Sequence, residues 1–228
     1  MRFFHLSDLH IGVKLYEYDL LEEQRVMLDQ IVALAKREQP DAIVMAGDIY
    51  DRSVPAVEAV ALFDGFLRTL RQALPDAALM VVSGNHDSPQ RLNVFREELM
   101  HRGVYMIGNP PQREGEKIAC VSLQDAYGTV NFHLLPFVRP GMVRLLVGTK
   151  ENGDNISYEE AFRRLLALNP IDTTARNVLV SHQFFLPTDT DAQEVERAET
   201  EMRMAGNVNA ISAALLADFD YAALGHFH

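Results

Sequence analysis

A chain of 228 residues, 48% hydrophobic and 23% charged, reads as a soluble globular protein large enough to bury a real core, as one domain or one with a small appendage. No apolar run reaches the roughly 18 residues of a membrane span, "MRFFHLSDLH" turns polar too early for a signal peptide, and the single Cys120 excludes an internal disulfide and fits a reducing cytoplasm. A formal net charge of −11 counts against a protein that coats nucleic acid with its whole surface.

"RFFHLS" is a short apolar strand. From Leu20 to Glu38, residues Leu21, Met27, Leu28, Ile31, Val32, Leu34 and Ala35 recur at helical spacing until Pro40 closes the segment. "DAIVMAG" reads as a fully buried strand ending in Gly47, a second helix after Pro55 carries Val60, Phe63, Leu67 and Leu70, and "AALMVVS" is the next strand. A third helix is expected from Pro89, with Leu92, Phe95 and Leu99 on one face. Strand alternating with helix predicts a layered α/β domain with a mostly parallel central sheet. The second half is richer in strands, "IACVSLQD", "GTVNFHLLPF" and "NVLVSHQF", with a helix from about Ser157 to Leu168. Leu186 to Gly206 reads as a long acidic surface loop, and a helix over Val208 to Leu216 leads into "YAALGHFH".

Open α/β sheets bind ligands beyond the carboxyl ends of their strands. Here those ends carry metal-capable residues: "SDLH" offers Asp8 and His10, "GDIYD" offers Asp48 and Asp51, "GNHD" offers Asn85, His86 and Asp87, "SH" offers His182, and "GHFH" offers His226 and His228. Each piece alone is ordinary; Gly-Asp is a common turn and most histidines are not ligands. Five pieces in this order at strand ends are not ordinary, and the decision rests on the set. Imidazole, carboxylate and amide oxygen without thiolate suit Mn²⁺, Fe²⁺ or Zn²⁺ and argue against a structural zinc site. Two such cations about 3.5–4 Å apart can hold a hydroxide and a phosphoryl group during in-line displacement. Dications that close need a bridging carboxylate, and Asp48, central in the order, is the natural one. Two dications would still leave the chain at about −7, so any polyanion must be steered by a local field.

These residues resemble the motifs D-x-H, G-D-x-x-D, G-N-H-[DE], a lone H and G-H-x-H of the calcineurin-like metallophosphoesterase superfamily, from Ser7 to His228. The resemblance implies a two-sheet β-sandwich flanked by helices, in α-β-β-α layers, rather than a single sheet. It implies Asp8, His10, Asp48 and His228 as ligands of one metal, and Asp48, Asn85, His182 and His226 as ligands of the other. It also implies that His86 contacts the phosphate and protonates the leaving oxygen, with Asp51 and Asp87 as supporting groups that orient a ring.

The flanking stretches "HLSDLHIG", "DAIVMAGDIYDRSVP", "SGNHDSPQRL", "LPFVRP" and "FDYAALGHFH" resemble more narrowly the SbcD-type nuclease subunits of bacterial double-strand-break repair. That resemblance implies two divalent ions, Mn²⁺ first and Fe, Zn or Mg otherwise. It further implies phosphodiester hydrolysis at DNA ends and hairpins, a homodimer, and an SMC-like ATPase partner of the SbcC type. Arg91, Arg96, Arg139, Arg144, Arg163 and Arg164 become candidate DNA contacts. Such subunits usually continue past the last histidine pair, so residues 1–228 are expected to be the nuclease domain without capping and ATPase-docking segments. A phosphodiesterase for a small substrate, a cyclic nucleotide or nucleotide-lipid, is the alternative within the superfamily; "LPFVRP" argues against it. A non-catalytic scaffold is opposed by the full ligand set. His5 is expected at a core or layer position, His101 and His133 to be surface or structural, Cys120 a small buried residue, and Phe63, Phe66, Leu92, Phe95 and Leu99 core residues or, being on helices that dimerise in the family, interface residues.

Overall fold

The computed structural model describes residues 1–187 and 210–226. In chain order these form β1 (Phe3–Leu6), a hairpin of β2 (Lys14–Leu15) and β3 (Tyr18–Asp19), α1 (Leu21–Glu38), β4 (Ala42–Ala46), α2 (Val57–Ala73) and β5 (Ala78–Val82). Two short helices come next, α3 (Pro89–Leu92) and α4 (Arg96–Met100), then β6 (Val104–Ile107), β7 (Ala119–Asp125) and β8 (Gly128–Leu135). The rest comprises α5 (Pro140–Val147), α6 (Tyr158–Ala167), β9 (Arg176–His182), β10 (Phe185–Leu186), β11 (Ile211–Ser212), a 3₁₀ turn (Ala213–Leu216) and β12 (Tyr221–Gly225).

Two four-stranded sheets stack face to face. The first, in order β1-β4-β5-β6, is wholly parallel; the second, β12-β9-β8-β7, is parallel except for the antiparallel β7–β8 pair. Alternation along each strand builds the layers. Ala42, Val44, Ala46, Ala78, Met80 and Val82 face inward and pack against Val121, Phe132, Leu134, Val178, Val180 and Ala223 of the other sheet. The intervening Ile43, Met45, Leu79 and Val81 face outward under α1 and α2, with Leu28, Phe63, Phe66 and Leu70. The outer face of the second sheet meets α5 and α6 through Leu135, Leu179, Val143, Phe162 and Leu165. The four-layer α-β-β-α sandwich therefore holds, and the single central sheet drawn from local pattern does not. β4 and β5 read as unbroken apolar runs because both faces are covered.

Several local expectations change. The helix expected from Pro89 breaks in two, because Phe95 adopts a left-handed conformation (φ 59°), and Phe95 is 76% exposed instead of sharing a buried face with Leu92. Cys120 is exposed: it lies on the side of β7 opposite the buried Val121, in a strand whose burial alternates. Met27 and Leu34 of α1 also face solvent. The described part of the expected helix over Val208 to Leu216 is a two-residue strand and a 3₁₀ turn capped by Ser212, whose hydroxyl accepts from the Ala214 N–H. Most of the Leu186 to Gly206 loop lies outside the described residues, although Leu186 itself belongs to β10 and pairs with Ser212 of β11. β6 and α5 were not anticipated.

Candidate metal centre

Because β1, β4 and β5 run parallel, as do β9 and β12, the carboxyl ends of both sheets open on one edge, where β4 packs against β9 and β12. The turn after β1 is laid along the turn after β4: Asp8 N–H donates to Gly47 O (3.0 Å), His10 N–H to Asp48 O (3.0 Å) and Ile11 N–H to Ile49 O (2.9 Å). Side chains then tie the loops crosswise. The His86 N–H donates to Asp48 Oδ1 (2.9 Å), and the His226 N–H to both Asp8 oxygens (3.1 and 3.2 Å). Asp8, His10, Asp48 and His226 all have positive φ (55°, 42°, 48° and 87°), a conformation that costs a non-glycine residue on the order of 1–3 kcal/mol. Such strain gathered on four chemistry-bearing residues marks a site. Gly84 is required here, since a Cβ would collide with the Asp48 carboxylate.

His182 is fully buried. Its Nδ1–H donates to Ala46 O at 2.7 Å, which leaves Nε2 as the lone-pair nitrogen turned to the site. That nitrogen stands 3.2 Å from Asp48 Oδ2, 3.1 Å from Asn85 Oδ1 and 4.0 Å from Asp8 Oδ1. Oxygen and nitrogen lone pairs converging this closely require a proton or a cation among them. The electrostatics record the demand. Burial alone would raise the Asp48 carboxyl, but a proton on His182 Nε2, through its hydrogen bond and its charge, together with the His86 N–H outweighs it and holds the group below its ordinary range. Burial would lower His182, but Asp48, the Ala46 carbonyl and Asp8 carry it upward.

Two groups of ligand-capable atoms, each lying within 4.8 Å of one another, meet at this edge: Asp48 with His182 and His226, and Asp48 with His10 and His86. Asp48, 2% exposed, belongs to both. His10 Nε2 lies 3.7 Å from Asp48 Oδ2, and its Nδ1 lies 3.9 Å from Asp51 Oδ1. The His86 ring is exposed, stands edge-on to His10 at 4.9 Å, and donates from Nδ1 to Asp51 O at 2.8 Å. Asp87 is buried behind the loops, where it accepts the N–H groups of Gly84, Ile49 and Tyr50 at 2.8, 3.1 and 2.9 Å. Burial pushes the Asp87 carboxyl up, against those three hydrogen bonds, and the Asp48 charge adds to the rise. His228 lies outside the described residues. The donor set of carboxylate, imidazole and amide fits hard-to-borderline divalent cations.

The sequence reading passed over two supports. Gln24, buried in α1, donates to Leu9 O (3.0 Å) and His10 O (2.9 Å) and accepts from the Gly12 N–H (2.8 Å), so one amide holds the whole Asp8–His10 turn. Phe137 lies 6.3 Å from the His182 ring and 5.6 Å from the His226 ring; "LPFVRP" was its only sequence signal. Of the candidate arginines, Arg163 and Arg164 are spent on Glu160. His5 reaches Tyr221 Oη (3.2 Å) and His133 reaches Asn177 Oδ1 (3.0 Å), partners that are not among the predicted ligands.

Comparison with known proteins agrees with the geometry. The chain is 29% identical over 231 aligned residues to the SbcD subunit of the nuclease SbcCD of Staphylococcus saprophyticus, covering all of this chain and 56% of that protein, so it spans little more than half the relative's length. A family model for calcineurin-like phosphoesterases matches residues 1–228 from end to end, and the chain belongs to that family of divalent-metal phosphoesterases.

Proposed function

We propose that this chain is the catalytic part of a DNA nuclease subunit of the SbcD type, hydrolysing phosphodiester bonds at DNA ends and hairpins in double-strand-break repair. The observation that carries the reading is Asp48, buried and common to both ligand groups, as a carboxylate bridging two cations must be. Asp8, His10, Asp48 and His228 would hold one ion, and Asp48, Asn85, His182 and His226 the other, with Mn²⁺ as the first choice over Fe, Zn or Mg. Bound there, the pair supplies an activated water and neutralises charge on the phosphoryl group.

The chain's own residues do the rest. The exposed His86 is the proton donor to the leaving oxygen; its Nδ1 is committed to the Asp51 carbonyl, so the Nε2 side serves substrate. Asp51 sets both this ring and that of His10, and Asp87 clamps the two loops that carry Asp48 and Asn85. An SbcC-type ATPase partner, which the 29% identity to an SbcD subunit of the nuclease SbcCD supports, completes the proposal together with a second copy of the chain and a cytoplasmic setting.

The test is degradation of linear and hairpin DNA by the Mn²⁺-loaded chain. His86→Ala is expected to lower kcat about 10²–10³-fold with bound metal unchanged. Normal DNA degradation by that variant contradicts the acid assignment, and brisk turnover of cyclic nucleotides with none of DNA contradicts the substrate.

A further inference from the structure

β8 also runs parallel to β9, so its carboxyl end reaches the same edge as the ligand-bearing strands. It continues into "PFVRP", residues 136–140, a segment without a metal ligand. The backbone of this segment is stapled to both halves of the site. Phe137 N–H donates to Ser83 O at 2.9 Å, just before Gly84 and Asn85. Val138 exchanges two 3.0 Å hydrogen bonds with the side chain of Gln183, the residue after His182. Pro140 then opens α5 and fixes the backbone immediately beyond Arg139.

Arg139 is held by this frame with its guanidinium at the rim. Nη2 donates to Asn85 O at 3.3 Å, and the guanidinium carbon sits 5.1 Å from the centroid of the Phe137 ring, the ring that also lies against His182 and His226. The side chain is exposed and has no carboxylate partner among the described residues, whereas Arg52, Arg163, Arg164 and Arg176 each have one. A cation placed by these contacts, without a counter-ion among the described residues, and set on the edge of an acidic cluster in a chain of net charge −11 is suited to an anion.

We propose that Arg139 binds a phosphate of the substrate strand next to the one being cleaved. The register comes from Asn85: its side-chain oxygen faces the ligand cluster at His182, while its backbone oxygen carries the guanidinium, one residue's width to the side. The site thereby selects diesters with consecutive phosphates, DNA rather than a cyclic nucleotide. This rests on the phosphodiesterase reading and narrows it.

The experiment compares wild type, Arg139→Ala and Arg139→Lys as full chains. Fluorescence anisotropy on a labelled oligonucleotide in Ca²⁺, with the DNA verified intact afterwards, gives the salt dependence of binding. Mn²⁺ kinetics on DNA and on bis(4-nitrophenyl) phosphate give the activity. Loss of one phosphate contact predicts that Arg139→Ala lowers the slope of log K against log salt by about 1, with Lys recovering most of it. KM on DNA should rise about tenfold with kcat little changed, and the drop in kcat/KM should be at least about fivefold larger on DNA than on the small diester. An unchanged slope and KM in Arg139→Ala overturns the contact. Equal losses on both substrates, with bound metal falling, overturn it in favour of a brace for Asn85. If wild type turns over the small diester but neither binds nor cuts DNA, the nuclease reading fails independently of Arg139.

Discussion

Asp87 spends both carboxylate oxygens on backbone: Oδ2 takes the N–H groups of Ile49 and Gly84, and Oδ1 that of Tyr50. Truncation to alanine would strand three N–H donors in a buried loop junction. At about 1–3 kcal/mol for each unsatisfied group, with partial relaxation, Asp87→Ala should cost about 3 kcal/mol or more, and Asp87→Asn, which keeps one oxygen, distinctly less. Urea denaturation measures both; a loss under about 1 kcal/mol for the alanine variant would show that the clamp is dispensable. At this scale the sequence was informative where a residue's chemistry is unusual for its place, as with Asn85, His86 and Asp87 after an apolar strand. It was silent on Gln24, because glutamine on a helix is ordinary and only its contact with a turn over a dozen residues earlier makes it a support.

Elements with a strong period came through: α1, α2 and α6 fall within a residue or three of the expected segments, and so do β4, β5 and β9. Short ones did not. β6 and α5 offer four and eight residues, too few for a period to separate strand from helix, and the left-handed Phe95 splits a segment whose apolar spacing favours continuity. Some ties between elements are ionic. Asp125, at the end of β7, pairs with the N-terminal ammonium ahead of β1 (2.5 Å) and with Arg176 of β9 (2.6 Å), joining the two sheets. Arg176, the ammonium and the Tyr127 N–H hold the Asp125 carboxyl well below the usual carboxylate range. A carboxyl depressed in the folded state adds stability that is complete above its unfolded value of about 3.9 and drains away as pH falls toward the folded value. The stability gap between wild type and Asp125→Asn should therefore be constant between about pH 5 and 7 and shrink below about pH 4, as thermal melts across that range would record. A gap independent of pH would mean that the ion network contributes nothing to acid sensitivity.

For the whole molecule, strand order and sheet membership decide where the chemistry meets, and local pattern does not contain them. A parallel strand buried on both faces reads alike in either sheet, so a single central sheet was the natural expectation; only the family resemblance carried the sandwich. The stacked sheets bring the carboxyl ends of five strands from residues 8 to 226 to one edge, and so gather Asp8, His10, Asp48, Asn85, His86, His182 and His226. The sequence named each of these residues. It could not show that Asp48 belongs to both groups in space, or that β8 adds Phe137 and Arg139 beside them. The most direct measurement of the central claim is the Mn²⁺ stoichiometry of the chain and of Asp48→Asn, by calorimetry with elemental analysis. A bridge predicts two ions per chain in wild type and tight binding of neither in the variant; wild type with a single ion, or a variant that keeps both, would contradict it.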